Sequence, residues 1–256
     1  MEKLSAAIIT FNEEANIARC IGSLQNIVDE IVILDSFSTD KTREIALSMG
    51  ARVEQKAFAG YIEQKNAVLL LTRYNYVLCL DADEELDQSL QKSILKVKES
   101  LSAAAGYTMN RCTFYCDKFI RHGLWYPDKK LRLVNKEQAV WGGDNPHDKI
   151  MFRKPQTTIH LRGDILHYSY YSIEEHVSQN NKFSTISAET YYSKGKTTNL
   201  LKIFIHPLWS FILGYILRLG FLDGFYGYTV ALNIAHLTFL KHSKLYRLQR
   251  QADRRN

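Results

Sequence analysis

The amino-acid sequence predicts an α/β fold in which a doubly wound half is followed by a mixed β half and a helical C-terminal region. Between residues 4 and 80, short apolar runs alternate with segments whose apolar residues recur at helical spacing. Such alternation is typical of a parallel sheet covered by helices on both faces. Residues 106–168 then contain short apolar runs with little helix between them, and the chain becomes helical again from Ile173 onward. The 256 residues suffice for one large domain, or for one domain with an appendage.

The elements of the first half follow from residue spacing and from turn residues. The first strand ends at Thr10, and the apolar residues after it return every three or four positions up to Leu24. Asp40 is one of several cap candidates for the second helix, and Gly50 ends that helix. We therefore predict strands over 4–10, 30–34, 51–58 and 76–80, and helices over 15–24, 41–49, 61–72 and 86–100. In the second half we predict strands over 107–111, 131–134 and 160–162.

Composition narrows the class of protein. With 46% hydrophobic and 23% charged residues, the chain is globular with an ample core. Its net charge of +6 suits a phosphate-bearing partner or an anionic membrane surface, and does not select between them. The four cysteines form no zinc pattern, and Cys79 lies in an apolar run, so we expect free thiols in a reducing cytoplasm. We expect no signal peptide, because the chain enters its first strand almost at once.

An apolar run that ends in acidic residues carries the strongest chemical signal. Asp81, Asp83, Glu84 and Glu85 place four carboxylates within five residues, directly after a predicted buried strand. Open α/β sheets bind ligands at that edge. Two aspartates separated by one residue can face a Mg²⁺ or Mn²⁺ ion that carries a phosphorylated ligand. The alternative is an acidic helix N-terminus, and this is how we interpret Glu84 and Glu85.

Five short motifs, taken in this order, carry a resemblance to a known family. They lie at residues 8–14 (IITFNEE), 33–40 (ILDSFSTD), 80–84 (LDADE), 141–148 (WGGDNPHD) and 220–224 (GFLDG). Together they resemble the family 2 glycosyltransferases of GT-A fold, in particular the bacterial enzymes that add a sugar to the lipopolysaccharide core or a related surface glycan. The resemblance covers the whole chain. The chain has no Gln-x-x-Arg-Trp motif, which marks the processive synthases of the family, so the resemblance implies addition of single sugars.

The resemblance implies a nucleotide-sugar site on the first half. Thr10, Asn12 and Glu13 follow the first strand, where a nucleotide base and ribose would lie. Asp35 ends the second strand, and its carboxylate would accept the N3–H of uracil or the hydroxyls of ribose, which favours a UDP-sugar. Lys65 falls where many members carry an arginine that contacts the base or the diphosphate. The alternative for Lys65 is a solvated helix face.

The resemblance also implies a metal ion and a catalytic base. We expect Asp83 to bind Mg²⁺ or Mn²⁺ directly, and Asp81 to contact the ribose or, through water, the metal. His167 would complete the metal ligands. An inverting transfer needs a base on the face opposite the leaving group, and Asp148 takes that role by resemblance, although related enzymes usually carry glutamate there. Asp144 is its rival.

The last part of the chain suggests contact with a membrane. We expect a catalytic domain over residues 1–172 and a helical region over residues 173–256. Two uncharged stretches of that region, 203–217 and 224–240, contain Trp209 and many other aromatic residues, but neither is a convincing membrane span. We therefore predict two helices that lie on the cytoplasmic face of the membrane. The alternative is a helical hairpin packed on the protein itself or on a second copy of the chain. The basic residues expected to face anionic lipid are Arg218, Lys241, Lys244, Arg247 and Arg250.

Other functions have less support in the sequence. A sugar nucleotidyltransferase usually holds triphosphate with a Gly-rich, basic loop, and residues 10–16 contain no Gly, Lys or Arg. A catalytically silent scaffold would not need Asp81, Asp83 and Asp148 together. Nucleic-acid binding is disfavoured, because the basic residues cluster beside apolar tail segments and not with stacking aromatics on a sheet. The sequence thus favours an inverting, metal-dependent glycosyltransferase with a lipid-linked glycan acceptor.

Overall fold

The computed structural model describes residues 2–144 and 147–254, apart from the side chains of residues 103, 144, 147 and 253. The chain divides into two compact units. The first comprises Met1–Arg111 and Asp128–His167, and the second comprises Cys112–Pro127 and Tyr168–Asn256. Residues 112–127 therefore group with the C-terminal helices. The assignment of catalysis to residues 1–172 stays a prediction.

Strands and helices alternate along the chain. The strands are β1 (Leu4–Thr10), β2 (Glu30–Asp35), β3 (Arg52–Gln55), β4 (Tyr76–Asp81), β5 (Glu84–Leu86), β6 (Gly106–Tyr115), β7 (Lys118–Ile120), β8 (Asp128–Asn135), β9 (Ala139–Asp144), β10 (His147–Phe152) and β11 (Thr158–Tyr170). The helices are α1 (Ile17–Leu24), α2 (Thr42–Ser48), α3 (Tyr61–Leu71), α4 (Gln88–Val97), α5 (Ile173–Ser193), α6 (Leu200–Phe211) and α7 (Gly224–Asp253).

The main sheet begins with four parallel strands in the order β3-β2-β1-β4 and continues through β8, β6, β11 and β5. Strand β8 runs antiparallel to β4, so the sheet is mixed, as predicted. The register sets Thr10 beside Asp35 and Ile9 beside Asp81. The carboxyl ends of β1, β2 and β4 therefore share one edge of the sheet.

Helices cover both faces of the parallel strands, which explains their continuous apolar runs. On β4, Leu78 joins a buried cluster with Ile21 of α1, whereas its neighbour Val77 joins a separate cluster with Val68 of α3. Alternate residues of a strand point to opposite faces, so α1 and α3 lie on opposite sides of the sheet. The predicted strands and helices of this half are confirmed to within a few residues, except that β3 is shorter.

The prediction for Glu84 and Glu85 is wrong. These residues lie on strand β5, which pairs antiparallel with β11, and not at the start of a helix. Helix α4 begins after Asp87, whose side chain accepts a hydrogen bond of 2.7 Å from the backbone N–H of Leu90. Glu84 is buried, and its carboxylate pairs with Arg132 at 2.7 Å. This charged hydrogen bond stabilises the carboxylate more than a helix dipole would.

The strands of the second unit are the ends of β6 and β11 and the short β7, which pairs with β6, and its longer elements are helices. Helix α5 starts with a capping box formed by Ser172 and Glu175. Beyond α6, one π-helical stretch (Ile212–Leu217) and a 3₁₀ turn (Gly220–Asp223) lead into α7. The predicted helical tail is thus confirmed.

Asp223 explains the fifth motif, because it ties the turn before α7 to the segment after β7. Its Oδ2 accepts backbone hydrogen bonds from Arg121 at 2.9 Å and His122 at 2.8 Å, and its carbonyl oxygen accepts one from Lys118 Nζ at 3.1 Å. A Cβ on Gly227 would overlap the carbonyl oxygen of Gly220, so only glycine permits this close approach. The motif therefore has a structural role in the second unit.

Candidate active site

The loops after β1 and β2 are cross-linked by hydrogen bonds. Asn12, in the left-handed region with φ 54°, accepts from the backbone N–H of Thr39 at 2.8 Å through its side-chain oxygen. Its own N–H donates to Ser38 Oγ at 2.9 Å, and the N–H of Glu13 donates to Thr42 Oγ1 at 2.7 Å. These hydrogen bonds join the two loops to each other at the predicted nucleotide edge.

Asp35 lies at the centre of these loops. Its side chain is buried and accepts from the N–H of Ser38 at 3.0 Å and from Gln55 Nε2 at 3.0 Å. The hydroxyl of Ser38 also donates to it. Nearby, Thr10 Oγ1 is buried without a hydrogen-bond partner among the described residues. The edge therefore contains a fully buried carboxylate with donors from the protein, and a buried hydroxyl without a described partner.

Glu13 connects this edge to the acidic motif. Burial raises the pKa of Glu13, Asn16 opposes the rise with a hydrogen bond, and the charges of Asp83, Asp40 and Asp81 raise it further. Glu13 follows β1, and Ile9 of β1 pairs with Asp81 of β4, so Glu13 and the acidic motif lie at the same edge of the sheet. The residues predicted for the nucleotide and for the metal are therefore neighbours in the first unit.

Lys65 bridges the two carboxylates on which the predicted chemistry depends. Its Nζ lies 2.9 Å from Asp81 Oδ1 and 2.8 Å from Asp148 Oδ2. It also lies 4.5 Å from the centroid of the Trp141 ring. The Lys65 side chain is only 9% exposed, so the alternative of a solvated helix face is wrong. The structure brings Asp81 and Asp148 together around one ammonium group.

A second cation also pairs with Asp81. Arg132 is buried on β8, and its Nη2 lies 2.7 Å from Glu84 Oε1 and 3.3 Å from Asp81 Oδ2. Glu84 Oε2 accepts a hydrogen bond of 3.0 Å from the backbone N–H of Asp81. Glu84 and Arg132 therefore fix both the backbone and the side chain of Asp81.

The balance of burial and charge explains the protonation of this cluster. Burial alone would raise the pKa of Asp81, but Lys65 and Arg132 hold that pKa well below its usual range. Burial alone would lower the pKa of Lys65, but the carboxylates of Asp81 and Asp148 outweigh it, despite the opposing charge of Arg132, and raise that pKa. Asp81 is thus an anion and Lys65 a cation at neutral pH.

Asp83 and His167 form the remaining part of the site. His167 Nε2 lies 3.1 Å from Asp83 Oδ2. The antiparallel pairing of β5 with β11 sets His167 opposite Glu84, and this brings the imidazole to the acidic motif. The two residues come together as the sequence predicted, although they are far apart in the chain.

The donor set of Asp83 and His167 fits a divalent cation that also binds phosphate. No group of three His, Cys, Asp or Glu side chains suited to a metal is present in the described part of the chain. Mg²⁺ usually takes only one or two protein carboxylates and completes its shell with water and substrate phosphates, and Mn²⁺ also accepts imidazole. Asp81 is already neutralised by Lys65 and Arg132, which lie 2.9 Å and 3.3 Å from its carboxylate oxygens. Asp83 with His167 is therefore the better-suited pair of direct ligands, with Asp81 beside them.

The rival base falls outside what the structure describes. The side chains of Asp144 and His147 are not described, nor are residues 145 and 146. The backbone pairing sets Asp148 opposite Gly143, in the second residue pair from the end at which the chain passes from β9 to β10. Asp148 itself is well placed in the cluster, whereas its choice over Asp144 stays a prediction.

Three residues of the site were missed or underrated in the sequence. Glu84 was interpreted as an acidic residue at a helix N-terminus. Arg132 was expected to form a structural pair, with a donor phosphate as the alternative, but its partners were not identified. Trp141 belonged to a motif without a stated task. A charged residue inside an apolar strand, such as Arg132 in LRLV, is the one signal that could have suggested a buried partner. The partner itself depends on how β4, β5 and β8 are arranged.

Comparison with known proteins gives one coherent result. A family model described as glycosyl transferase family 2 matches residues 5–157. An uncharacterized glycosyltransferase of Rickettsia typhi is 34% identical over 263 residues, covering 97% of this chain and 88% of the relative. The lipopolysaccharide core biosynthesis glycosyltransferase LpsC of Rhizobium meliloti is 29% identical over 262 residues, covering 95% of this chain and 92% of LpsC.

Solved structures give a more distant comparison. Glucosyl-3-phosphoglycerate synthase of Mycobacterium tuberculosis, solved with Mn²⁺, uridine diphosphate and glucosyl-3-phosphoglycerate, is 25% identical to the matched part of the chain. The match covers 44% of each chain with a TM-score of 0.36.

Proposed function

Because the chain belongs to glycosyl transferase family 2, we propose that it is an inverting, metal-dependent, non-processive enzyme that moves one sugar from a UDP-sugar to a glycan acceptor. Family membership confirms two predictions from the sequence, the GT-A fold class and glycosyltransferase activity. The remaining terms of the proposal are the stereochemistry, the metal, the donor and the acceptor. The observation that carries the catalytic part of the proposal is the cluster in which Lys65 contacts both Asp81 and Asp148.

The donor would lie along the shared edge of β1, β2 and β4. Asp35 is the proposed contact for uracil or ribose, with Thr10, Asn12 and Glu13 lining the adjacent loop. Asp35 is a fixed acceptor because three neighbouring groups already donate to it. A rigid acceptor selects a ligand N–H at a defined position.

Asp83 and His167 would hold the divalent cation, Mg²⁺ or Mn²⁺. When bound, such an ion neutralises the charge of a departing nucleoside diphosphate. Asp81 stays ionised between Lys65 and Arg132 and orients the donor beside it. Glu84 keeps Asp81 in place through its backbone N–H.

Asp148 is the proposed general base. The acceptor hydroxyl oxygen attacks the anomeric carbon as the bond from that carbon to the diphosphate oxygen breaks. Asp148 takes the hydroxyl proton, and inversion follows because attack and departure occur on opposite faces. Lys65 donates to Asp148 Oδ2 and leaves Oδ1 to receive the proton.

The proposed acceptor is a lipid-linked glycan or the lipopolysaccharide core. Its support is the similarity to LpsC over nearly the whole chain, at 29% identity. A lipid-linked acceptor is also consistent with the surface of the second unit. On α6, large apolar side chains stay exposed at Leu201, Phe204, Leu208 and Trp209.

We propose that the second unit lies on the cytoplasmic face of the membrane. The stretch Leu200–Leu217 is long and apolar enough to cross a bilayer by length and composition, and only 11% of it is buried. Exposed apolar residues continue past it through Phe221 and Phe225, in a helical hairpin with Arg218 exposed at its turn. An amphipathic surface of this kind suits insertion into the headgroup region.

The structure corrects one part of the predicted lipid contact. Lys244 Nζ donates to Asn181 O at 2.8 Å, Ser184 Oγ at 2.7 Å and Thr185 Oγ1 at 2.9 Å. Lys244 therefore joins α7 to α5 and is not free for lipid. Arg218, Arg247 and Arg250 are exposed and keep that proposed role.

A thermal-shift screen of nucleotide-sugars tests the proposal. We expect UDP-sugars to raise the melting temperature with Mn²⁺ and to have little effect without it. A ligand at 100 times its Kd adds about 2.7 kcal/mol to stability, which is readily detected. A shift with GDP-sugars alone would contradict the donor, and an equal shift in EDTA would contradict the metal.

A further inference from the structure

In the described part of the chain, the β9–β10 hairpin that carries Asp148 forms no backbone pairing with the main sheet. Strands β9 and β10 pair only with each other among the described residues, whereas the other strands of the first unit form one continuous sheet. Main-chain pairing therefore does not fix the distance from Asp148 to the acidic motif at the end of β4. Side-chain contacts must do so.

Helix α3 supplies these contacts from two consecutive residues. Asn66 Nδ2 donates to the carbonyl oxygen of Trp141 at 2.9 Å, and Asn66 Oδ1 accepts from the N–H of Trp141 at 3.0 Å. The amide thus binds both backbone groups of one β9 residue, as a neighbouring strand would. Lys65 Nζ donates to Asp148 Oδ2 on the neighbouring strand β10 at 2.8 Å.

The surroundings make both contacts rigid. The side chains of Lys65 and Asp148 are 9% and 11% exposed, and charge-assisted hydrogen bonds are strong where water is excluded. Trp141 is buried in one apolar cluster with Val68 and Leu69 of α3. The ring of Trp141 also faces the Lys65 ammonium group, so Trp141 contacts both Lys65 and Asn66. The hairpin is held to α3 at three points within a short distance.

From these contacts we infer that Lys65 and Asn66 are positioning residues that together set the place of the base Asp148 relative to Asp81. Lys65 fixes the carboxylate, and Asn66 fixes the backbone of the hairpin. This inference rests on the proposed function. It differs from the role that the resemblance implied for Lys65, a direct contact to the base or diphosphate of the donor.

The two roles predict different kinetics. A positioning residue changes kcat, because misplacement of a catalytic group by about 1 Å can cost about 10²-fold in rate. A donor contact changes the KM and the Kd for the donor. Substitution of Asn66 distinguishes the two roles best, because its side-chain amide forms both of these hydrogen bonds with Trp141.

The test is steady-state kinetics of Asn66→Ala, Lys65→Met and Lys65→Arg, with Lys92→Met as the control. Lys92 is an exposed lysine on α4 in the same unit. We expect kcat to fall about 10²-fold in Asn66→Ala and Lys65→Met, with the donor KM within about threefold of wild type. Lys65→Arg should recover part of the loss, because it keeps the charge without the same reach. Lys92→Met should match wild type.

Hydrogen exchange supplies a readout that does not depend on turnover. In Asn66→Ala the backbone amide of Trp141 should exchange at least tenfold faster, because its acceptor is gone. If Lys65→Met fails to fold, Asn66→Ala alone decides the question. Wild-type kcat in Asn66→Ala, or a raised donor KM with unchanged kcat in Lys65→Met, would overturn the inference.

The inference and the proposed function fail in different ways. If Asp148→Asn retains full activity, the proposed function is wrong whatever the other variants do. If Asp148→Asn is inactive while Asn66→Ala and Lys65→Met turn over normally, Asp148 keeps its role and only the positioning is wrong.

Discussion

His167 Nε2 lies 3.1 Å from Asp83 Oδ2, although the two residues are far apart in the sequence. The pairing of β5 with β11 produces this contact. An imidazole beside a carboxylate at a sheet edge gives the nitrogen and oxygen ligands that suit Mn²⁺. The contact is the structural basis of the metal that we propose.

We predict that His167→Ala weakens Mn²⁺ binding in the presence of UDP at least tenfold, because even groups that only support metal ligands usually cost that much. Asp83→Ala should have the same or a larger effect. Isothermal titration with Mn²⁺ measures both. The control is His160→Ala, an exposed histidine on the same strand. Equal Mn²⁺ affinity in His167→Ala and wild type would remove His167 from the site.

A second prediction concerns the buried pair of Arg132 and Glu84. Glu84→Gln should lower the free energy of unfolding by about 3 kcal/mol, because it removes the nearer of the two carboxylates that pair with the buried Arg132. Urea unfolding at neutral pH measures the change. The control is Lys130→Met, because Lys130 pairs with Asp128 at 3.0 Å with both side chains about one third exposed. Such a pair should contribute less than about 1 kcal/mol. A loss of similar size in both variants would contradict a structural role for Glu84.

The sequence predicted the parallel half well because each element there follows a local rule. Apolar runs marked β1, β2 and β4, and helical spacing marked α1 and α3. The same rules predicted that Thr10, Asp35 and Asp81 would share an edge, since parallel strands align their carboxyl ends. These predictions needed no knowledge of distant contacts.

The parts that sequence reasoning missed depend on long-range pairing. Glu84 lies on β5 because β11 provides a partner, and nothing near it in the sequence indicates that partner. Lys65 is enclosed because the β9–β10 hairpin brings Asp148 and Trp141 over it. In both cases the local pattern, an acidic helix start or a polar helix face, is outweighed by tertiary contacts.

A third prediction concerns acid stability and Asp29. Burial alone would raise the pKa of Asp29, but hydrogen bonds from Lys98, the N–H of Leu4 and Lys3 lower it to about 2. The pKa of the folded state is therefore below that of the unfolded chain, about 3.9. The stabilisation is fully present above that unfolded value and is lost as the pH falls toward 2.

Asp29→Asn should therefore cost about 2 kcal/mol at neutral pH, the usual value of a hydrogen-bonded charge. The difference from wild type should shrink as the pH falls from about 4 to about 2. Urea unfolding across this range measures it. A difference that stays constant with pH would show that the ion pairs to Lys98 and Lys3 contribute nothing.

A fourth prediction concerns the apolar surface of α6. Leu201 and Leu208 are 65% and 62% exposed, so lysine at both positions should be tolerated by the fold. The double variant should bind vesicles of anionic phospholipid at least tenfold more weakly than wild type, because two inserted side chains are lost. Flotation with such vesicles measures the bound fraction. Leu95→Lys, on the first unit, is the control, and equal flotation of the double variant and wild type would contradict the membrane surface.

The initial rate of sugar transfer by Asp148→Asn tests the central claim most directly. The amide keeps the size of the side chain but cannot accept the hydroxyl proton. We predict a rate at least about 10²-fold below wild type, the usual contribution of a general base, with Mn²⁺-dependent UDP binding retained. A rate within a factor of about three of wild type, at full donor and acceptor saturation, would contradict Asp148 as the base.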